Sequence, residues 1–302
     1  MKPLSGSQFQ TEESDIRSIL KPRAASAHKG DFGHALFIGG SYGKMGAAIL
    51  ATRACLRTGV GLLTAFIPSC GNQIMQTAVP EAMCISLYGS SICRRIGHLY
   101  ASNHPDSTGK YISEINEDLS KYNAVGVGPG LGLNTATVHA IHNMLNSAHR
   151  PMVIDADALN IISANPEMLP AIPENSILTP HAKEFERLSG VPCTDRQQQT
   201  ESAAAFAVKH NIFVVLKGAN TVIACPNGDR YINPTGNPYM ATAGSGDVLC
   251  GIILSLLAQG YTPLQSALAG VFLHGRAGDL AAAERTPLIA SDIVECIKFT
   301  TA

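Results

Sequence analysis

The stretch "HALFIGGSYGKMGAAILATRACLRTGVGLLTAFIP", His34 to Pro68, decides the fold. Its first seven residues, HALFIGG, are an apolar run closed by two glycines, the pattern of a buried strand entering a turn. From Gly46 to Gly59 the apolar side chains Ile49, Leu50, Ala54 and Leu56 recur at helical spacing. Gly59 stands where a helix C-terminus favours glycine. GLLTAFIP then reads as a second strand. Strand, helix and strand at this spacing make a βαβ unit, which places two parallel strands side by side.

The alternation continues outward from this unit. NAVGVGPGLG reads as a strand running into a glycine loop, with TATVHAIHNMLNSA as the helix behind it. PMVIDADAL is a strand that delivers Asp155 and Asp157 at its end, expected to face opposite sides by strand alternation. NSILTPHAKEFERLSG reads as strand, turn and helix, TESAAAFAVKHN as a further helix and IFVVLKGA as a strand. TVIACPNGDRYIN fits a hairpin around a Pro-Asn-Gly-Asp turn. From Gly244 onward the pattern is mostly helical. Residues 1–28 read as an N-terminal extension with a helix, and Gly89 to Lys110 as a surface excursion. The expected architecture is one α/β domain over residues 1–302, a central mostly parallel sheet with helices on both faces.

Composition narrows the classes. The chain has 302 residues, 45% hydrophobic, and a formal net charge of −1, which argues against a nucleic-acid partner. The longest apolar run, Val248 to Ala258, is too short to span a bilayer, and the polar, acidic N-terminus lacks a signal-peptide core. No two of the eight cysteines form a C-x-x-C pair. Reduced thiols in a cytoplasmic protein are therefore expected.

In open α/β sheets ligands bind beyond the carboxyl ends of the strands. GGSYGKMG, GPGLG, DADALN, TPHAKE, KGANT and TAGSGD all fall at such ends, so their loops share one crevice. In TAGSGD, Gly244 and Gly246 flank Ser245 and leave main-chain amides uncovered. A helix starting near Asp247 adds its free amides and the positive end of its dipole, which together make an anion site. An S-G-D before an apolar run is also an ordinary helix cap, but TAGSGD holds more glycine than a cap requires. A carboxylate beside an anion site suits a base that takes a proton from a hydroxyl attacking a bound phosphoryl group. The glycines from 128 to 132 include Pro129 and lack the acidic partner of a dinucleotide fold, and GGSYGKMG lacks the G-K-[ST] of a P-loop. Asp157 with Asn160 is a weaker candidate for a Mg²⁺ or phosphate neighbourhood. Glu184 and Glu186 read as a solvated helix face, with Glu184 also placed to cap its helix.

NPYMATAGSGDVLCG resembles the C-terminal signature of ribokinase-like proteins. Together with KGDFGHALFIGGSYGKMGAAILA, GVGPGLG, VIDADALN, LTPHAKEFERLSG and VLKGANTVI, it resembles the ADP/ATP-dependent NAD(P)H-hydrate dehydratases, in the same order from about Lys29 to Gly260. The resemblance implies a lyase that dehydrates the S-form of NAD(P)H hydrate by phosphorylating its hydroxyl and expelling phosphate, with ADP or ATP as donor and Mg²⁺ as cofactor. It implies Asp247 as catalytic base and substrate contact, and Ala47, Gly130, Gly132 and His181 lining the hydrate site. Lys217, Gly218, Ala219, Asn220, Thr221, Gly244 and Gly246 would bind the adenine nucleotide. It also implies the free-standing form without an epimerase domain, and a homo-oligomer, a tetramer being one form. The alternative is a ribokinase-like kinase of a vitamin precursor such as hydroxyethylthiazole. A nucleotide-binding sensor without turnover is a third reading.

Overall fold

In the computed structural model, residues 6–86, 109–192 and 195–297 are described. The stretch from His34 to Pro68 folds as its pattern predicts. Strand β1 (Gln8–Gln10) and helix α1 (Glu13–Ile19) precede strand β2 (His34–Ile38), helix α2 (Met45–Arg57) and strand β3 (Leu62–Ile67). The next elements are α3 (Asn72–Ala78), β4 (Met83–Ser86), β5 (Ala124–Val127), α4 (Thr135–Ser147), β6 (Met152–Ile154), α5 (Ala156–Ala164) and β7 (Ile177–Leu178). Then come α6 (Ala182–Ser189), α7 (Arg196–His210), β8 (Phe213–Leu216), β9 (Val222–Ala224) and β10 (Arg230–Ile232). The chain closes with α8 (Ser245–Ala258), α9 (Pro263–Glu284) and α10 (Ala290–Glu295).

The strands form one sheet in the order β1-β10-β9-β8-β7-β6-β5-β2-β3-β4, parallel throughout except for β9, which runs against β8 and β10. The β9–β10 pair is the expected hairpin. Residues 1–28 hold more than an extension, because β1 adds to the sheet edge beside β10. The expected excursion at 89–110 lies outside the described residues save Gly109 and Lys110, whose carbonyls accept from Cys70 N and Tyr42 N.

Alternation within each strand divides the core. Ala35 and Phe37 of β2 join one buried cluster, with residues of α2, α8 and α9, while Leu36 and Ile38 join the other, with residues of α4, α5 and α7. The sheet is thus covered on both faces, as a parallel sheet must be. On the first face α8 lies directly on α2: a Cβ at Gly251 would overlap the carbonyl oxygen of Ala51. This close seating fixes the N-terminus of α8 at the carboxyl ends of the strands. Among the described residues no helix is long and apolar enough to cross a membrane, and Cys55, Cys70, Cys84, Cys225 and Cys250 carry free thiols.

Candidate functional site

Strand ends bring the candidate residues together. Helix α8 begins at Ser245, two residues before the expected start, with Gly244 at its N-cap in the left-handed region at φ 91°. A Cβ there would overlap Leu50 Cδ1 and sit 3.0 Å from Ala290 Cβ, so this position takes only glycine. No side chain caps the helix. Ser245 and Asp247 therefore do not serve as the cap their sequence also allowed. Ser245 N donates to Thr242 O at 3.4 Å and Val248 N to Gly244 O at 3.1 Å, which leaves the amides of Gly246 and Asp247 as the donors that face outward from the helix start.

Asp247 lies in this first turn, half-buried. Its carboxyl is pushed up to about 7, first by burial, then by the charge of Asp155, with Lys217 pulling the other way and Asp157 and Glu184 adding to the rise. A carboxyl poised near neutral pH suits proton transfer.

Lys217 leaves β8 and reaches over β7 to Asp155, with Nζ 2.8 Å from Asp155 Oδ1 and 3.8 Å from Glu184 Oε2. Burial alone would lower the ammonium, but Asp155 and Glu184 outweigh it and hold the group charged, with its pKa raised. Asp155 is only 1% exposed, and its Oδ2 has no hydrogen-bond partner among the described residues. The two aspartates do not alternate on a strand. β6 ends at Ile154, and Ala156 turns the chain through φ 51°, so Asp157 stands in the first turn of α5. Its Oδ2 accepts from Gly132 N at 2.8 Å and from Lys44 Nζ at 3.2 Å. Asn160 Oδ1 accepts from Arg187 Nη2 at 2.7 Å.

His181 is the N-cap of α6 in a reciprocal box. Its Nδ1 accepts from Glu184 N at 3.3 Å, and Glu184 Oε2 accepts from His181 N at 2.8 Å. Glu184 is buried, contrary to the solvated face expected for it, while Glu186 is exposed. Desolvation lowers the His181 imidazole, Glu184 opposes this, and Lys217 adds to the lowering.

A cavity of about 880 Å³ opens among these groups. It is lined by His181 and by Lys217, Gly218, Ala219, Asn220 and Thr221, by segment 233–242 apart from Tyr239, and by residues of α8 and α9 that include Ser245, Gly246, Val271 and His274. Ala47, Gly130 and Gly132 are not among the residues that line this cavity. A Cβ at Gly130 would lie 3.2 Å from Ala47 Cβ, and Ser41 Oγ donates to Gly130 O at 2.7 Å. His181 lines the cavity beside Lys217–Thr221 and forms a parallel bridge with Lys217.

His274 was not singled out in the sequence, although it is the polar residue inside the apolar run AGVFLHG. It meets Ser245 Oγ through Nε2 at 3.2 Å, and desolvation lowers its imidazole to about 4, so it stays neutral. Among the described residues no group of three or more His, Cys, Asp and Glu could by itself hold a metal ion. The donor set instead fits Mg²⁺ that arrives on phosphates, since that ion commonly takes one or two protein carboxylates and phosphate oxygens. The unpartnered Asp155 Oδ2 is the available carboxylate oxygen.

A family model described as NAD(P)H-hydrate dehydratase matches residues 35–299. The ADP-dependent (S)-NAD(P)H-hydrate dehydratase of Neisseria meningitidis is 39% identical over 268 residues, 87% of this chain and 81% of that protein. The bifunctional NAD(P)H-hydrate repair enzyme of Moorella thermoacetica is 39% identical over 291 residues, 94% of this chain. The chain spans 52% of that longer relative. The crystal structure of the ADP/ATP-dependent NAD(P)H-hydrate dehydratase from Bacillus subtilis, co-crystallized with ATP/Mg²⁺, aligns with a TM-score of 0.77 at 31% identity, covering 97% of each chain. The shared fold is ribokinase-like.

Proposed function

We propose, from the premise that this chain belongs to the NAD(P)H-hydrate dehydratase family, that it restores NADH or NADPH from the S-form of the hydrate, with ADP or ATP as phosphoryl donor. The observation that carries this reading is the placement of Asp247. Its carboxyl, poised near 7, lies in the first turn of an uncapped helix that borders the cavity.

In this reading the nucleotide lies between Lys217–Thr221 and segment 233–242, with its terminal phosphoryl group against the amides following Gly244. The hydrate enters from the side of Ala47, Gly130 and Gly132. Asp247 takes the proton of the hydrate hydroxyl as that oxygen bonds to phosphorus and the bond to the leaving nucleotide breaks. The ring nitrogen's lone pair then expels phosphate by C–O cleavage, and loss of a proton from the adjacent carbon restores the dihydropyridine. With ADP the sum is hydrate plus ADP giving reduced nucleotide, AMP, phosphate and a proton. The helix amides stabilise the charge that develops on the phosphoryl oxygens, and Lys217, held by Asp155, adds a fixed cation. Mg²⁺ belongs to the reading as charge neutralisation on the phosphates, with Asp155 Oδ2 as its protein oxygen.

One domain, a cytoplasmic setting and a homo-oligomer, with a tetramer as one form, complete the proposal. Exposed Phe9, Ile74, Val208 and Ile289 supply apolar surface for assembly. The test is incubation with (S)-NADH hydrate, ADP and Mg²⁺. Recovery of dihydronicotinamide absorbance with equal AMP and phosphate is expected. A stable phosphorylated product from a vitamin-precursor alcohol, with no recovery from the hydrate, would favour the kinase reading instead.

A further inference from the structure

We propose that Asp279 is a positioning residue: by latching segment 233–242 onto α9, it sets the affinity of the cavity for the adenine nucleotide without touching that ligand. The inference rests on the nucleotide assignment above and extends it to a residue outside the cavity lining.

The segment supplies much of the cavity lining yet has little structure of its own. Between β10 and α8 it makes one short helical turn, Pro238–Met240. An irregular wall keeps its shape only if something outside it supplies the bonds. Helix α9 does so from one face. Asp279 Oδ2 accepts from Gly236 N at 3.1 Å, and Oδ1 accepts from Asn237 Nδ2 at 2.9 Å. Asn237 Oδ1 in turn accepts from Tyr239 N at 3.1 Å, which starts the helical turn. One and two turns earlier on α9, Gly275 and Phe272 complete the seat. The Phe272 carbonyl accepts from Thr235 Oγ1 at 3.2 Å. A Cβ at Gly275 would stand 2.7 Å from the main-chain carbon of Thr235, so the segment can lie this close only over glycine. Met240 fills the notch at Gly278 in the same way.

Among the described residues no lysine or arginine forms an ion pair with Asp279 within 4.0 Å. Both its oxygens serve a single segment instead, one on a main-chain amide and one on a side-chain amide. Hydrogen bonds to a charged acceptor are the stronger kind. The phosphoryl end of the site is held differently, by α8 and its buried residues Val248, Leu249 and Cys250. Loosening the latch therefore moves the wall more than it moves Asp247, and the expected signature is a change in nucleotide binding with little change in turnover.

The experiment compares wild type with Asp279→Ala, Asp279→Asn and Thr235→Val, measuring ADP dissociation by equilibrium dialysis, KM for each substrate, kcat and Tm. Asp279→Ala is expected to weaken ADP about ten-fold or more, with kcat at saturating ADP and KM for the hydrate within about two-fold. Asp279→Asn keeps one acceptor and should recover part of the loss, and Thr235→Val should give a smaller change of the same sign. Unchanged ADP affinity in Asp279→Ala, or a parallel fall of kcat, both affinities and Tm, overturns the latch. If wild type itself binds no adenine nucleotide, the functional reading fails, and this inference fails with it.

Discussion

Lys217 Nζ and Asp155 Oδ1 meet at 2.8 Å across β7, at the ends of two strands that are not neighbours. The pair lies beneath the glycine loop: a Cβ at Gly246 would come 3.2 Å from Lys217 Nζ and 4.0 Å from Asp155 Oδ2. A buried carboxylate that loses its only cation is costly, while losing both partners is far less so. Lys217→Met should therefore lower stability by roughly 3 kcal/mol and abolish ADP binding. Adding Asp155→Asn should restore much of the Tm but none of the binding. Simple additivity of the two losses in thermal melts would contradict the pairing.

The two glycines of the loop should fail differently. Gly244→Ala forces a side chain into the left-handed region and onto Leu50 and Ala290, so it should cost ~2 kcal/mol or more of stability. Gly246 has no such backbone demand, and its nearest obstacle is the flexible end of Lys217. Gly246→Ala should keep a near-normal Tm yet lose ADP affinity, because the new methyl occupies the space of the phosphates. Melting curves beside ADP titrations separate the two outcomes.

Asp247→Asn should reduce kcat by at least ~10²-fold while ADP affinity stays within a few-fold. It should also change stability with a definite sign. The folded carboxyl titrates at about 7 against an ordinary 3.8, so between these values the native state holds a proton the unfolded chain releases. Stability from this group is present at low pH and declines as pH rises through 7. The variant should melt above wild type at pH 8, and that gain should vanish near pH 4.

The same carboxyl predicts the acid limb of the rate. kcat/KM should fall as pH drops below about 7, since the protonated acid is no longer a base. A profile flat from pH 5 to 8 would show that another group takes the hydroxyl proton.

Much of this was legible in local pattern. The βαβ unit at His34–Pro68, the hairpin after Val222 and the helical final third follow from short-range periodicity, which a strand or helix carries in its own residues. The start of a helix at Gly244–Asp247 was legible because a glycine-rich turn followed by an apolar run marks a helix N-terminus. Asp157 was misplaced because strand alternation was extended past Ile154, where Ala156 at φ 51° breaks it. Glu184 reads as solvated in the sequence because the cation it faces, Lys217, lies 33 positions away. The edge strand β1 and the contacts of His274 and Asp279 likewise depend on partners distant in sequence, which no local period records.

The most direct measurement is a crystal structure of this chain with ADP and Mg²⁺. The account predicts the terminal phosphate on the amides following Gly244, within reach of Lys217 and beside the Asp247 carboxyl. Phosphates lodged elsewhere, with that carboxyl facing no ligand, would contradict it.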